Sequence, residues 1–69
     1  MTLRKIFAQN LRAARVNKGL SQEALADLAG VDRTYVSALE RQVYSVSLDT
    51  IEKLAKVLAV EAADLLKSH

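Results

Sequence analysis

Apolar residues recur at helical intervals along almost the whole chain, and polar punctuation divides the recurrence into five stretches. Leu3, Ile6, Phe7, Leu11 and Ala14 form an inward stripe over a first helix predicted at residues 2–17, with Thr2 as its N-cap. Gly19 ends that stretch, and Ser21 is placed to cap a second helix, although no glutamate follows three residues later to complete a capping box. In the second stretch Leu25, Ala26, Leu28 and Ala29 share one side. After Gly30 the pattern restarts: Val31, Val36 and Leu39 are apolar, while Arg33, Thr34, Ser37 and Arg41 are polar. Residues 42–46 are irregular. Ser47 then caps a fourth helix, with Asp49 in its first turn and Leu48, Ile51, Leu54, Ala55 and Leu58 on its inner face. A turn at Ala59 and Val60 leads to a last short helix at residues 62–67. Every period is helical and the chain has no proline, so the expected fold is all-α.

The junction at Gly30 is the most telling point. Two short helical patterns meet there with no room for a loop. Glycine takes positive φ at little cost, which suits a sharp turn. Ala26 is small where the two helices would cross, and Asp32 can accept from the first free N–H groups of the next helix. Residues 22–41 therefore read as a helix-turn-helix. Its second helix carries an exposed polar face of the size that enters a DNA major groove.

These residues resemble the Cro/repressor-type helix-turn-helix family, also called XRE-like. GLSQEALADLAGV, TYVSALER and SLDTIEKLAKVLAV are similar to successive parts of that five-helix domain, and DRTYVSALER is also similar to controller proteins of restriction–modification systems. The resemblance implies a single compact, lambda-repressor-like domain over residues 1–69, its C-terminal helices at 48–67. Many members have glycine where this chain has Gln42 and Ala59. The change at Gln42 predicts that the third helix runs on or ends differently.

Composition narrows the reading. Sixty-nine residues make one domain near the lower limit for a self-sufficient core. The absence of cysteine removes disulfides and thiolate metal sites, and no cofactor or metal is expected. The apolar content of 51% implies either dense packing or apolar surface shared with a partner. No uncharged stretch approaches the ~18 residues of a membrane span. Gln9 and Asn10 interrupt the early apolar run too soon for an export signal, so a cytoplasmic location is expected. Net charge is only +2, but residues 1–41 carry seven Lys/Arg against four Asp/Glu, whereas residues 42–69 carry three against four. Positive charge thus concentrates in the half that bears the motif. With no phosphate loop and no nucleophile–base set, the chain is not expected to be an enzyme. His69, the only histidine, reads as a frayed terminus.

The resemblance places base-reading residues at Arg33 and Thr34, with Ser37 and Ala38 one turn on. Arginine can pair bidentately with guanine, and threonine and alanine methyls suit a thymine methyl. Gln22 can offer its amide, and its helix's free N–H groups, to a phosphate. Tyr35 and Tyr44 read either as hydroxyls for phosphate or as half-buried packing. Arg41, Gln42 and Ser45 border the loop expected along the backbone, and Arg12 is a further candidate. In relatives an arginine and a glutamate matching Arg15 and Glu40 form a partly buried ion pair.

One recognition helix covers few base pairs, so the expected regulator is a homodimer on a palindromic operator in double-stranded DNA. Val57, Val60, Ala62, Ala63, Leu65 and Leu66 supply the expected dimer surface. RNA polymerase is a further candidate partner, through Glu23 or Asp27, and no small-molecule ligand is implied. The alternative reading is an antitoxin or adaptor using the same fold for protein interaction.

Overall fold

The N-caps at Thr2, Ser21, Asp32 and Ser47 each accept a backbone N–H from the first turn that follows. In the computed structural model, which describes residues 2–68, they open four α-helices. These are α1 (Leu3–Asn17), α2 (Gln22–Ala29), α3 (Arg33–Glu40) and α4 (Leu48–Leu58). A 3-10 helix (Ala62–Leu66) forms the last short helix. So short a segment gains little from α-type bonding, and the Asp64 carboxylate accepting from the Glu61 N–H at 3.1 Å tightens its first turn. His69 lies outside the described residues. Among the described residues there is no strand, and no helix is long and apolar enough to cross a membrane.

Gly30 takes φ 72°, and its N–H and that of Val31 return to α2 carbonyls, closing the turn on which α2 meets α3. Ala26 is buried at this junction. The core joins Phe7 and Leu11 of α1 to Leu25, Val36 and Leu39 of the helix pair, and to Ile51, Leu54 and Leu58 of α4. Leu65 locks the 3-10 helix beneath them. Asn10 secures it from outside, its side-chain amide donating to the carbonyls of Leu65 at 3.0 Å and Lys67 at 2.7 Å. Nothing in the helical periodicity singled out Asn10.

Three leucines expected inside are on the surface: Leu3 is 58% exposed, Leu28 64% and Leu48 74%. Leu28 lies about 60° outside the arc spanned by Leu25, Ala29 and Ala26, and an eight-residue helix buries one arc only. Leu3 and Leu48 stand at the first position of their helices, past the edge of the core layer.

Gln42, one of the two residues standing in for glycine, also departs from expectation. Gln42 (φ 64°) and Ala59 (φ 58°) both take the left-handed conformation. The N–H groups of Val43 and Val60 return to Ala38 and Ala55, the bonding that a glycine-ended helix makes. α3 therefore stops at Glu40 with the hydrogen bonding of a glycine-ended helix, and the strain is absorbed locally. A side chain at positive φ costs roughly 1–2 kcal/mol, partly offset by the smaller unfolded-state entropy of a non-glycine residue. We expect Ala59→Gly to raise stability by about 0.5–1 kcal/mol in chemical denaturation. An unchanged or lowered midpoint would remove strain as a factor at this cap.

Candidate nucleic-acid interface

α3 presents its N-terminal turn outward because Asp32 and Gly30 aim it there while Val36 and Leu39 anchor its back. Arg33 and Thr34 are both exposed, and Ser37 is partly so. Ala38 does not join them. Consecutive helical residues turn by about 100°, which carries Ala38 inward to 4% exposure and leaves its methyl almost no surface for a base. The expected base-reading set therefore shrinks to Arg33, Thr34 and Ser37.

The Thr34 hydroxyl is committed. It donates to Asp32 Oδ1 at 2.8 Å while the Thr34 N–H donates to the same oxygen at 2.9 Å. What remains for a ligand is the methyl and the oxygen lone pairs. Both bonds favour the ionised form, the hydroxyl more than the amide, and hold the Asp32 carboxyl below its ordinary range. The cap's contribution is therefore complete above the unfolded carboxyl's pKa of about 4 and is lost as pH falls through the lower folded value. Thr34→Val should move the Asp32 titration, followed by carboxyl NMR, upward toward the ordinary range. An unmoved midpoint would show that the hydroxyl bond is not what depresses it.

Arg33 Nη1 stands 4.0 Å from Glu23 Oε2 on α2, with both side chains well exposed. Such a pair contributes little, about 0–1 kcal/mol, so the guanidinium remains available. The contact was not evident in the sequence, where Glu23 reads as a solvated carboxylate.

Behind this face lies a partly buried charge cluster. Arg15 Nε donates to Glu40 Oε2 at 2.7 Å and Arg15 Nη2 donates to Oε1 at 3.1 Å, a bidentate pair tying α1 to the last turn of α3. Arg15 also donates to the Leu20 carbonyl at 2.8 Å. Hydrogen bonding to Glu40, opposed by burial and helped by the carboxylate's charge, raises the guanidinium's pKa. Gln22 joins the cluster, its Nε2 donating to Glu40 Oε1 at 3.2 Å. That arrangement fixes the glutamine at the start of α2 beside the end of α3, a partnership the sequence reading did not include.

Past α3, Arg41 and Gln42 are exposed. Tyr35 is half-buried and its ring lies 6.5 Å from that of the exposed Tyr44. Thr34, Arg41 and Tyr44 rim a shallow hollow of about 250 Å³ floored by Ala38. Ser45 accepts from Arg4 Nη2 at 2.8 Å. Arg12 is exposed on α1. Of the residues expected at a dimer surface, Leu65 is corrected: at 1% exposure it is core. Val57, Val60, Ala62 and Leu66 are half-buried against that core, and only Ala63 is open. Among the described residues no group of His, Cys, Asp or Glu could hold a metal ion.

A helix-turn-helix family model matches residues 11–65. A Neisseria meningitidis protein described as a hypothetical transcription factor is 55% identical over 64 residues, covering 93% of this chain. The chain spans only 60% of that relative's length. The solved restriction–modification controller protein C.AhdI from Aeromonas hydrophila superposes with a TM-score of 0.87 at 50% identity, over 90% of this chain and 94% of its own. The biofilm regulator SinR, solved in complex with DNA, superposes with a TM-score of 0.85 at 35% identity, over 88% of this chain and 98% of that one. Outward-facing α3, the Gly30 turn and these likenesses agree. The chain belongs to the XRE-like helix-turn-helix family of DNA-binding transcription regulators, non-enzymatic proteins with the lambda-repressor-like fold, and is related to controller proteins and repressors.

Proposed function

We propose that this regulator recognises a palindromic operator as a symmetric homodimer in the cytoplasm. Arg33, Thr34 and Ser37 read base edges, and Gln22, Tyr35, Arg41, Gln42, Tyr44, Ser45 and Arg12 meet the backbone. The carrying observation is the exposed, capped start of α3, where an arginine guanidinium and a threonine methyl stand clear of the core. Arg33 takes a guanine through O6 and N7, and the Thr34 methyl takes a neighbouring thymine. The free N–H groups at the start of α2 add a phosphate contact. Glu23 and Asp27 stay exposed on α2, open to RNA polymerase.

Duplex binding measured against salt tests the reading. Arg12 and Arg41 in both protomers make four arginine–phosphate contacts, so log Kobs should fall with log salt at a slope of about −3.6. Salt-insensitive binding, or no duplex binding at low salt, would overturn the assignment.

A further inference from the structure

A threonine hydroxyl carries one proton and two lone pairs, so on a helix facing DNA it can meet donors and acceptors alike. Thr34 has lost that freedom. Its one proton goes to Asp32 Oδ1 at 2.8 Å, and the same oxygen accepts the Thr34 N–H at 2.9 Å. The backbone bond makes Asp32 the N-cap of α3 and fixes its carboxylate against the first turn. The hydroxyl bond then fixes the Thr34 side chain. Threonine branches at Cβ, so holding Oγ1 sets χ1 and the direction of the methyl together.

An O–H bond to a carboxylate is roughly twice as strong as one between neutral groups. Turning the proton toward thymine O4 or guanine O6 would exchange a charged acceptor for a neutral one. It would also leave the exposed Asp32 carboxylate beside a base acceptor, a repulsive contact. A lone pair of Oγ1 turned toward an amino group meets neither obstacle. In the major groove the base-edge donors are adenine N6 and cytosine N4.

We propose that Asp32 sets the polarity of the Thr34 contact. By holding the hydroxyl proton, it makes Thr34 an acceptor that reads an exocyclic amino group, beside the thymine met by its methyl. The inference rests on the base-reading assignment of Thr34 and adds the chemistry of the edge it selects. Asp32 needs no contact with DNA for this. It is a positioning residue that favours amino groups and works against carbonyl edges.

Sequence preference alone does not test the polarity, because every base pair shows both an amino and a carbonyl group in the major groove. The experiment therefore deletes single groups from the duplex. Site selection with wild type and Thr34→Val first locates the pairs that Thr34 reads. There, purine for adenine or a pyrimidinone for cytosine removes the amino group. A methylpyrimidinone for thymine or aminopurine for guanine removes the carbonyl. Subtracting the loss that Thr34→Val shows on the same duplex cancels the cost of the weakened base pair.

By this measure wild type should lose about 2- to 13-fold in affinity per half-site without the amino group, and nothing without the carbonyl. Asp32→Gly is tolerated at an N-cap but offers the hydroxyl no acceptor, so the two deletions should then cost alike. Asp32→Asn keeps an oxygen on the Thr34 N–H and should retain the dependence on the amino group. A circular dichroism melt verifies that both variants fold. Carbonyl deletion that costs wild type as much as amino deletion, or more, overturns the polarity and leaves Thr34 a base reader. Asparagine and glycine variants that behave alike overturn the role of Asp32. A Thr34→Val selection identical to that of wild type overturns the inference together with the Thr34 assignment.

Discussion

Glu40→Ala should lower the melting temperature by about 15 °C or more, while Arg33→Ala leaves it nearly unchanged. The contrast follows from burial. The Glu40 and Arg15 side chains are only 5% and 13% exposed, against 63% for Arg33. Removing Glu40 strands the Arg15 guanidinium in a space that excludes most water and also takes the acceptor from Gln22. Stranding a buried partner costs about 3–5 kcal/mol, and the lower end applies here because Arg15 keeps some exposure and its bond to Leu20. In a domain of this size each kcal/mol moves the midpoint by roughly 4–8 °C. Arg33 loses only its 4.0 Å contact with Glu23, within the usual ±0.5 kcal/mol for surface positions. Replacing Arg15 and Glu40 together with methionine should recover part of the loss, since no charge is then left alone. Equal melting temperatures for Glu40→Ala and Arg33→Ala would mean the pair is neither buried nor coupled as the geometry requires.

The pair also shows where sequence reading succeeds and where it stops. Local chemistry was legible throughout: Thr2, Ser21, Asp32 and Ser47 cap the helices they precede, and Gly30 takes the left-handed turn. Each depends only on a side chain and the backbone within three residues. Burial depends on which partner covers a given stripe, and periodicity is silent on that. Hence Leu3, Leu28 and Leu48 came out exposed, and Ala38 and Leu65 buried. Gln42 and Ala59 show a further limit. Propensity disfavours them at positive φ, yet the packing of Leu39 and Leu58 on one side and Val46 and Val60 on the other holds the turns. The links from Gln22 to Glu40 and Asn10 to the 3-10 helix span 18 to 57 residues, beyond any local signal.

The second large effect concerns recognition. Selection of binding sites from random duplexes should give wild type a strong guanine preference at one position in each half-site, and Arg33→Ala should flatten that position alone. A bidentate arginine–guanine pair supplies roughly 1–3 kcal/mol of discrimination, so each half-site should lose about 5- to 150-fold of its preference there. Arg33→Lys separates shape from charge. Lysine restores the positive field but lacks the planar two-pronged donor set, so affinity at low salt should largely return while discrimination recovers only in part. Arg41→Ala is the counterpart. Exposed at the end of α3 and away from its N-terminal turn, it should weaken all sequences alike and reduce the salt slope by about two for the dimer. The exposed Glu23 does not compete strongly for Arg33, because a 4.0 Å contact in water is easily exchanged for a guanine edge with two aligned acceptors. If the preferred operator is the same for wild type and Arg33→Ala, base reading lies elsewhere on α3, and Arg33 acts only as a phosphate-facing charge.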